Sequence, residues 1–324
     1  MHSIGGMRWT LAFLLMTACA VDDLDAIEQS IVQKCDDPLI CPGNSDLVAA
    51  LGPFELNADK VTDSSRGFHI VSISHLGVDV PTFQVQGAKI HEIDANDNVF
   101  DGAGALSTII RIHHTPSDRE FDLKIVDYRV VPFYSANFAP TISGYYIQYK
   151  EVVAKDWKDI CPYKDKVDAG IDGSWAVFWK GDRYDPDTGK IYASGGPPVV
   201  GTWFNISCAG EALIKMLRMH TGQAVAPFSP IERRLAVTWM FTATFCKPGT
   251  RYTHLGVPLV WSDLWEPSDA GPAEVEAIWS AQGAVCLNTP RDKIPDPLVC
   301  NPPECTDTQI ANWDKLGWVM SALP

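Results

Sequence analysis

Apolar and polar residues alternate with a period of two from Phe54 to about Tyr149, in short stretches rich in β-branched and aromatic side chains. This alternation is typical of β-strands that bury one face. Clusters of turn-forming residues at 94–98 and 115–118 separate the stretches. The pattern predicts an antiparallel, β-rich N-terminal half over residues 53–155, either a sandwich or a barrel. Strands are expected at Phe68–Ile73, Phe83–Gln86, Ile109–His113, Phe121–Val126 and Ile142–Tyr149.

Residues 156–324 mix strand and helix patterns. The turn sequence Tyr184–Gly189 predicts a hairpin between the apolar stretches Trp175–Trp179 and Lys190–Tyr192. Apolar residues at helical spacing predict three or four helices, one of which opens with the capping-box sequence Ser229–Glu232. We therefore assign the chain to the α+β class, with a disulfide-stapled mixed second half. The helices are expected at Ile206–His220, from Ile231 to about Phe245, at Ala273–Gln282 and at Thr308–Leu316.

The first twenty residues have the features of an export signal. Arg8 is the only charge before residue 22, and it precedes an apolar run and then small residues up to Ala20. A short positive region, an apolar core and small residues are the three parts of a signal peptide. The apolar run is too short to span a bilayer, which needs about 20 apolar residues.

Two cleavage sites are open within this signal. Leu15–Cys19 resembles a bacterial lipobox, which we favour and which would make Cys19 a lipidated first residue. Alternatively, Ala18–Ala20 fits the small-residue pattern of ordinary cleavage before Val21. With the lipobox, residues 1–19 form the signal peptide, and the acidic stretch 20–52 is a tether between the lipid and the folded protein.

The cysteine count supports export independently. The chain has nine cysteines, and lipidation or removal of Cys19 leaves an even number, which is typical of disulfides in an exported chain. Close spacing predicts the local pairs Cys35–Cys41 and Cys300–Cys305, which leaves four cysteines to staple the middle. There is no Cys-x-x-Cys pair, so we expect no structural zinc site. The eight cysteines expected in disulfides are Cys35, Cys41, Cys161, Cys208, Cys246, Cys286, Cys300 and Cys305.

Composition and charge argue against nucleic acid and an anionic membrane surface as partners. Apolar residues make up 46% of the 324 residues and charged residues 20%, which is typical of a globular protein. The net charge of −14 argues against nucleic acid, whose binding needs lysine and arginine to neutralise phosphates. It also argues against docking to an anionic membrane through a basic patch, so contact with a membrane is expected only through the lipid anchor.

The segment Gly201–Lys215 contains a Trp and then a Cys-x-Gly sequence that leads into an expected helix. It resembles the ADYC-domain family of exported bacterial proteins, whose name motif has the altered form Ala243-Thr244-Phe245-Cys246 here. The resemblance covers about Asp122–Arg291. It implies an exported, cysteine-rich domain and transfers no catalytic residue to this chain. Other positions similar to the family are Asp127, Tyr128, Tyr146, Trp157, Cys161, Gly249, Thr253, Gly256, Pro258, Asp263, Trp279, Gly283, Ala284, Cys286 and Arg291.

One set of residues has the order of a catalytic triad. Cys208 lies at the start of an expected helix, where the helix dipole favours a thiolate, His254 lies in an expected strand, and Asp263 follows. Transglutaminase-like and papain-like enzymes use this order. A free Cys208 would, however, leave an unpaired cysteine among the rest. We therefore expect a structural disulfide, and keep a cysteine-dependent hydrolase or transferase acting on envelope polymers as the alternative.

A turn-rich segment offers oxygen ligands for calcium. Its candidate ligands are Asp94, Asn96, Asn98 and Asp101. The segment departs from an EF-hand, because Val99 stands where the loop needs Gly. Asp and Asn are also ordinary turn formers, so we expect a turn and no bound metal.

The adjacent residues His113 and His114 lie in an expected strand. Successive side chains of a strand point to opposite faces, so the two imidazoles cannot chelate one metal ion without a third element. We expect one of them to be half-buried and the other to be solvated.

Tryptophan suggests a possible binding surface. The chain has eleven tryptophans, and Trp261 and Trp265 stand beside Asp263, an arrangement that could present aromatic faces to sugars.

Taken together, these features predict a non-catalytic, exported protein that binds an envelope protein or a glycan and needs no cofactor. Its expected location is the outer membrane or cell surface through the lipid anchor, or alternatively the medium after secretion.

Overall fold

A computed structural model of the protein describes residues 55–131, 142–180, 183–185, 190–192, 202–219, 230–246, 251–263 and 274–323, apart from 61, 65, 162, 169–170, 210, 254–256, 258, 293–297 and 299. In chain order its elements are β1 (Glu55–Asn57), β2 (Phe68–His75), β3 (Val78–Asp79), β4 (Thr82–Gln86), β5 (Lys89–Ile93), β6 (Val99–Asp101), β7 (Thr108–His114), β8 (Arg119–Val131), β9 (Ile142–Glu151), β10 (Lys158–Asp159), β11 (Tyr163–Asp168), β12 (Ile171–Gly173), β13 (Ala176–Lys180), β14 (Arg183–Asp185), β15 (Lys190–Tyr192), β16 (Trp203–Cys208), α1 (Ala212–Met219), α2 (Ile231–Thr242), β17 (Val260–Asp263), β18 (Glu274–Ser280), β19 (Gly283–Leu287), α3 (Asp307–Ala311), α4 (Trp313–Leu316) and β20 (Val319–Leu323).

Nine strands form the main sheet, in the order β1-β16-β13-β9-β8-β7-β2-β3, with β10 paired to the C-terminal part of β9. All of these pairings are antiparallel. The β-rich prediction is confirmed, because the five expected strands correspond to β2, β4, β7, β8 and β9. Strands β13 and β16 come from the second half of the chain, so the sheet continues across residue 155.

One side of the main sheet, here called the inner face, packs against the three-stranded sheet β4-β5-β6. Ile110 and Phe178 of the main sheet and Phe83 of β4 belong to one apolar cluster. The rings of Phe83 and Phe178 meet edge to face with centroids 6.5 Å apart. Burying side chains of this size stabilises the fold by about 1.5–3 kcal/mol each.

On the opposite side, the outer face, the described helices pack near β13. Val131, Ile142 and Trp179 form a core there with apolar residues of α1 and α2. The same core includes Trp279 of a second antiparallel sheet, β17-β20-β18-β19. The two helices therefore pack against both sheets, and the α+β class is confirmed.

The helix expected at Ile206–His220 begins later than predicted, and the helix expected at Ala273–Gln282 is a strand. Residues 206–208 end β16, and α1 begins only at Ala212. The Glu211 carboxylate closes the turn between them, because it accepts hydrogen bonds from Cys208 N at 2.8 Å and Ser207 Oγ at 2.7 Å. The helix expected at Ala273–Gln282 is β18. Strand β16 and the middle of β18 are buried on both faces. The consecutive apolar residues Ala277, Ile278 and Trp279 hide the strand period in β18, whereas Asn205 and Ser207 of β16 do alternate with apolar residues.

The helix expected from Ile231 is confirmed as α2, but it is shorter. It ends at Thr242 rather than at Phe245, because Ala243 adopts the left-handed conformation with φ of 47°. Ser229, the first residue of the expected capping box, lies outside the described residues.

The last expected helix and the expected hairpin are confirmed with changes. The helix is divided at Asn312 into α3 and α4, and Thr306 forms a capping box with Gln309 at its start. The hairpin pairs β14 with β15. The stretch Trp175–Trp179 instead contributes β13, which pairs with β9 and β16.

Three disulfides join the described cysteines. They are Cys161–Cys208, Cys246–Cys300 and Cys286–Cys305. The predicted local pair Cys300–Cys305 is wrong, because the chain between these residues follows the end of β19, with Leu287 N donating to Pro303 O at 2.9 Å. Cys305 therefore faces β19, and Cys300 faces the end of α2. The cysteines outside the described residues are Cys19, Cys35 and Cys41.

The disulfides bear on where the protein folds. Structural disulfides form in oxidising compartments and are rare in the cytoplasm. Three of them within one chain fit an exported protein. No helix in the described ranges is long and apolar enough to cross a membrane.

Candidate binding face

Among the described residues, no helix or sheet packs on the outer face of the main sheet beyond α1 and α2. Alternate residues of β8 and β9 project from it, and Lys124, Tyr146 and Lys150 are half-buried there. This part of the face carries two tryptophans, one tyrosine and three cations. We call it the aromatic–cationic face and define it by Lys124, Arg129, Tyr146, Lys150, Trp157 and Trp175.

Trp157 lies between two lysines at one end of this face. The ammonium nitrogen of Lys150 is 5.2 Å from its ring centroid and that of Lys124 is 5.8 Å from it. Within the described part of the chain, neither lysine forms an ion pair with a carboxylate. In the described ranges, the contact of each ammonium group is with the indole ring, so both groups are available to an anion.

Trp175 lies at the other end. The guanidinium of Arg129 is 5.2 Å from its ring centroid, and the ring of Tyr146 is 6.1 Å away. The Tyr146 hydroxyl donates to the Asp159 carboxylate, which also accepts from Gln148 Nε2 at 3.2 Å. These two bonds fix the position of Asp159 and of the Tyr146 ring beside Trp175.

The segment that carries Trp157 is fixed at several points. Lys158 and Asp159 pair with β9, and Ile160 N donates to Ile147 O at 3.0 Å. The next residue, Cys161, is bonded to Cys208 in β16, with the two Cα atoms 5.6 Å apart. The indole ring is therefore presented by a rigid segment, which lowers the entropic cost of binding.

A family model matches the part of the chain that contains this face. The model of the ADYC domain matches residues 107–293. The chain belongs to the ADYC-domain family. The match covers more than half of the chain and includes all six residues of the aromatic–cationic face. No curated protein and no solved structure gives a significant match.

The name motif of the ADYC family is a buried corner in this chain. Its four residues, Ala243–Cys246, are between 0% and 7% exposed. The hydroxyls of Thr244 and Thr242 are 2.8 Å apart, and the ring of Phe245 stacks on Trp279 with centroids 5.2 Å apart. The motif thus joins the end of α2 to the second sheet and presents no reactive group to solvent.

The candidate triad is not assembled among the described residues. Cys208 ends strand β16, is fully buried and is disulfide-bonded to Cys161. It is therefore no thiolate at a helix start. His254 lies outside the described residues, and Asp263 ends β17.

The calcium candidates serve as turn and ion-pair groups. Asp94 Oδ1 accepts from the backbone N–H of Asn96 and Asn98, and its Oδ2 accepts from the amide of Asn98 at 3.0 Å. Asp101 pairs with His91 at 2.6 Å on the neighbouring strand. In the described ranges, no group of three or more His, Cys, Asp or Glu side chains is placed to hold a metal ion.

The tryptophans selected from the sequence are not those of the aromatic–cationic face. Trp261 is half-buried and packs edge to face on Phe241, with centroids 5.6 Å apart. Trp265 lies outside the described residues. Trp157 and Tyr146 had a sequence signal only in their similarity to the ADYC family.

A buried polar chain under the small sheet had no sequence signal. Glu92 is fully buried, and its Oε2 accepts a hydrogen bond from Thr108 Oγ1 at 2.8 Å. The same Thr108 hydroxyl lies 2.9 Å from His75 Nδ1. The other oxygen, Glu92 Oε1, has no hydrogen-bond partner among the residues that the structure describes. Burial raises the pKa of Glu92 to about 7. Burial also lowers the pKa of His75, and the charge of Asp94 opposes that shift.

We expect Glu92 to make the stability of the protein depend on pH. Its folded pKa of about 7 is above its ordinary value of 4.5, so the folded state binds more protons than the unfolded state between these values. Its contribution to the free energy of unfolding therefore falls as the pH rises through this window, by about 3 kcal/mol in total. His75 acts with the opposite sign below pH 6.5, because its folded pKa is lowered.

Urea unfolding of Glu92→Gln and wild type between about pH 4.5 and 8 isolates this contribution. The stability of the variant should rise relative to wild type as the pH increases, and the difference should be constant above about pH 8. The exposed residue Glu274 supplies the control, because Glu274→Gln should stay parallel to wild type. A constant difference between Glu92→Gln and wild type across the range would contradict the prediction.

Proposed function

We propose that this protein is an exported, lipid-anchored cell-envelope protein whose ADYC domain binds an anionic glycan through the aromatic–cationic face. The observation that carries the proposal is the placement of Trp157 between Lys124 and Lys150, at 5.8 and 5.2 Å from its ring centroid. Half-buried aromatic rings stand beside cations that form no ion pair among the described residues, so the surface has both apolar and charged components. Such a surface suits a ligand with both properties.

An acidic sugar has both an apolar surface and a negative charge. The apolar face of a pyranose ring can pack on an indole ring, and its carboxylate or phosphate can pair with an ammonium group. An exposed cation–π contact is worth only about 0.5–1 kcal/mol, so either lysine can exchange its contact with Trp157 for an ion pair with the ligand. The second pair, Trp175 with Arg129, would repeat the arrangement for a neighbouring sugar.

The charge of the whole protein favours a glycan over a denser polyanion. With a net charge of −14, the protein repels nucleic acid at long range, while the three cations of the face attract a carboxylate locally. The disulfide at Cys208 also argues against a cysteine-dependent hydrolase or transferase, since that reaction needs a free thiolate.

The anchor and location rest on the N-terminal sequence. Residues 1–19 have the parts of a lipoprotein signal, with Cys19 as the acceptor of lipid, and residues 20–52 would separate the folded protein from the membrane. The disulfides support the oxidising compartment that this route leads to. An ordinary signal peptidase site before Val21 would instead give a secreted protein with the same binding face.

Titration calorimetry with acidic oligosaccharides and their uncharged counterparts tests the proposed function. Wild type should bind a carboxylate- or phosphate-bearing oligosaccharide with an affinity that falls as salt rises. Trp157→Ala should lower the affinity at least about tenfold, which corresponds to about 1.4 kcal/mol. Lys124→Gln combined with Lys150→Gln should weaken binding and reduce its salt dependence.

Lys180 supplies the matched control. It is an exposed lysine near Phe83 and Phe204, on the inner side of the sheet. Lys180→Gln should bind as wild type does. Equal affinities of wild type, Trp157→Ala, the double lysine variant and Lys180→Gln would contradict the proposal. It would also be contradicted if this face bound a purified envelope protein but no acidic glycan.

A further inference from the structure

Two histidines are paired across strands at a different corner of the main sheet. His69 of β2 lies directly opposite His113 of β7, and their ring centroids are 5.1 Å apart. Their side chains are 26% and 21% exposed, so solvent reaches both rings. As the strand pattern predicts, His114 lies on the opposite face, where it stacks on Phe68. A second imidazole that could bind one metal ion together with His113 therefore comes from β2, as His69.

Each imidazole is held by a carboxylate through one nitrogen. His69 Nδ1 lies 2.7 Å from Asp63 Oδ1, and His113 Nε2 lies 3.1 Å from Asp118 Oδ1. When these nitrogens carry the protons, His69 Nε2 and His113 Nδ1 each retain a free lone pair. Neither of these two nitrogens has a hydrogen-bond partner among the residues that the structure describes.

We propose that His69 and His113 bind a divalent late first-row transition-metal ion, with Cu²⁺ preferred over Zn²⁺. Side chains directly opposite in an antiparallel pair have Cβ atoms about 4.5–5.5 Å apart, which allows two imidazoles to reach one ion. Metal-ligating histidines almost always donate their other N–H to a carboxylate or carbonyl, as His69 and His113 do here. Imidazole suits copper and zinc, and copper binds more tightly in the usual order of divalent affinities.

The surrounding charges favour a cation at this corner. Asp63 and Asp118 accept hydrogen bonds from the two histidines, and their negative charges would partly offset the charge of a bound ion. Glu120 of β8, the strand on the other side of β7 from β2, lies directly opposite His113. The protein supplies two nitrogen ligands, so the remaining coordination positions are open to water or to a further ligand. The site is distinct from the aromatic–cationic face and does not depend on the proposed glycan function.

Calorimetric titration of the tag-free mature protein with Cu²⁺ and with Zn²⁺ tests this site. We expect one site per chain, tighter for Cu²⁺. His69→Gln and His113→Gln should each weaken binding at least tenfold, and Asp63→Asn should weaken it by a factor of about 10, as loss of a supporting carboxylate does. His114→Gln, on the same strand but the opposite face, should bind as wild type does.

Paramagnetic resonance of the Cu²⁺ complex supplies an independent readout. It should show coordination by two imidazole nitrogens in wild type and by one in His113→Gln. Circular dichroism would establish that each variant keeps the wild-type fold before it is titrated. No binding by wild type, binding that both His69→Gln and His113→Gln retain, or equal weakening by His114→Gln would each overturn the proposal.

Discussion

Replacing Arg291 by Ala should destabilise the protein by about 3–5 kcal/mol, the usual cost of removing one partner from a buried ion pair. The Glu276 side chain is fully buried and that of Arg291 is 2% exposed. Arg291 Nε donates to Glu276 Oε1 at 2.8 Å, a second guanidinium nitrogen donates to the other carboxylate oxygen, and Ser321 Oγ adds a bond of 2.8 Å. Without Arg291, the Glu276 carboxylate would keep only neutral donors in an apolar surrounding.

Urea unfolding measures this effect, and a half-buried ion pair of the same type is the control. Arg119 forms two hydrogen bonds to Glu151, but the two side chains are 30% and 29% exposed. Arg119→Ala should therefore cost about 1 kcal/mol or less. A double variant, Glu276→Gln with Arg291→Met, should recover much of the lost stability, because it leaves no unpaired charge. Equal losses in Arg291→Ala and Arg119→Ala would show that burial of this pair has no energetic consequence.

Replacing Cys208 by Ala should lower the free energy of unfolding by about 2–5 kcal/mol, the typical contribution of a native disulfide. The bond to Cys161 closes a loop across 47 positions and holds the segment that carries Trp157 against β16. We therefore expect two further consequences in Cys208→Ala. The variant should contain one free thiol, at Cys161, and it should bind the glycan more weakly than wild type.

Thiol alkylation of denatured, unreduced protein measures the pairing. Wild type should react at no cysteine of the mature chain, and Cys208→Ala should react at Cys161 alone. The double variant Cys161→Ala with Cys208→Ala should be as unstable as the single variant but should carry no new thiol. Rapid labelling of Cys208 in native wild type would contradict the disulfide and would favour the alternative of a cysteine-dependent enzyme.

The β-rich half was predictable because its strands bury one face. In β4, the buried Phe83 and Val85 alternate with the exposed Gln84 and Gln86, and this periodicity is visible in the sequence alone. Strands β16 and β18 are buried on both faces, which weakens this signal. In β18, Ala277, Ile278 and Trp279 follow one another without a polar residue, whereas in β16 the polar Asn205 and Ser207 do alternate with apolar residues, a strand signal that the helix prediction does not use. Strand β16 pairs with β1 and β13, which are distant in the chain, and β18 pairs with the adjacent β19 and the more distant β20.

The candidate site was less predictable than the fold for a related reason. Trp157, Lys124 and Lys150 come from three separate segments and meet only because β8, β9 and β10 are neighbours in the sheet. The same holds for His69 and His113, which are 44 positions apart in sequence but opposite in register. Local motifs such as the pair Trp261 and Trp265 are visible in a sequence, whereas cross-strand neighbours require the strand order.

Mapping where an acidic glycan touches the protein tests the central claim most directly. A carbodiimide can couple the carboxylates of a bound acidic oligosaccharide to nearby lysines, and mass spectrometry then identifies the modified residues. The account predicts conjugates at Lys124 and Lys150, which are lost in Trp157→Ala and absent at Lys180. Coupling at Lys180 to the same extent as at Lys124 and Lys150, or coupling that Trp157→Ala leaves unchanged, would contradict it.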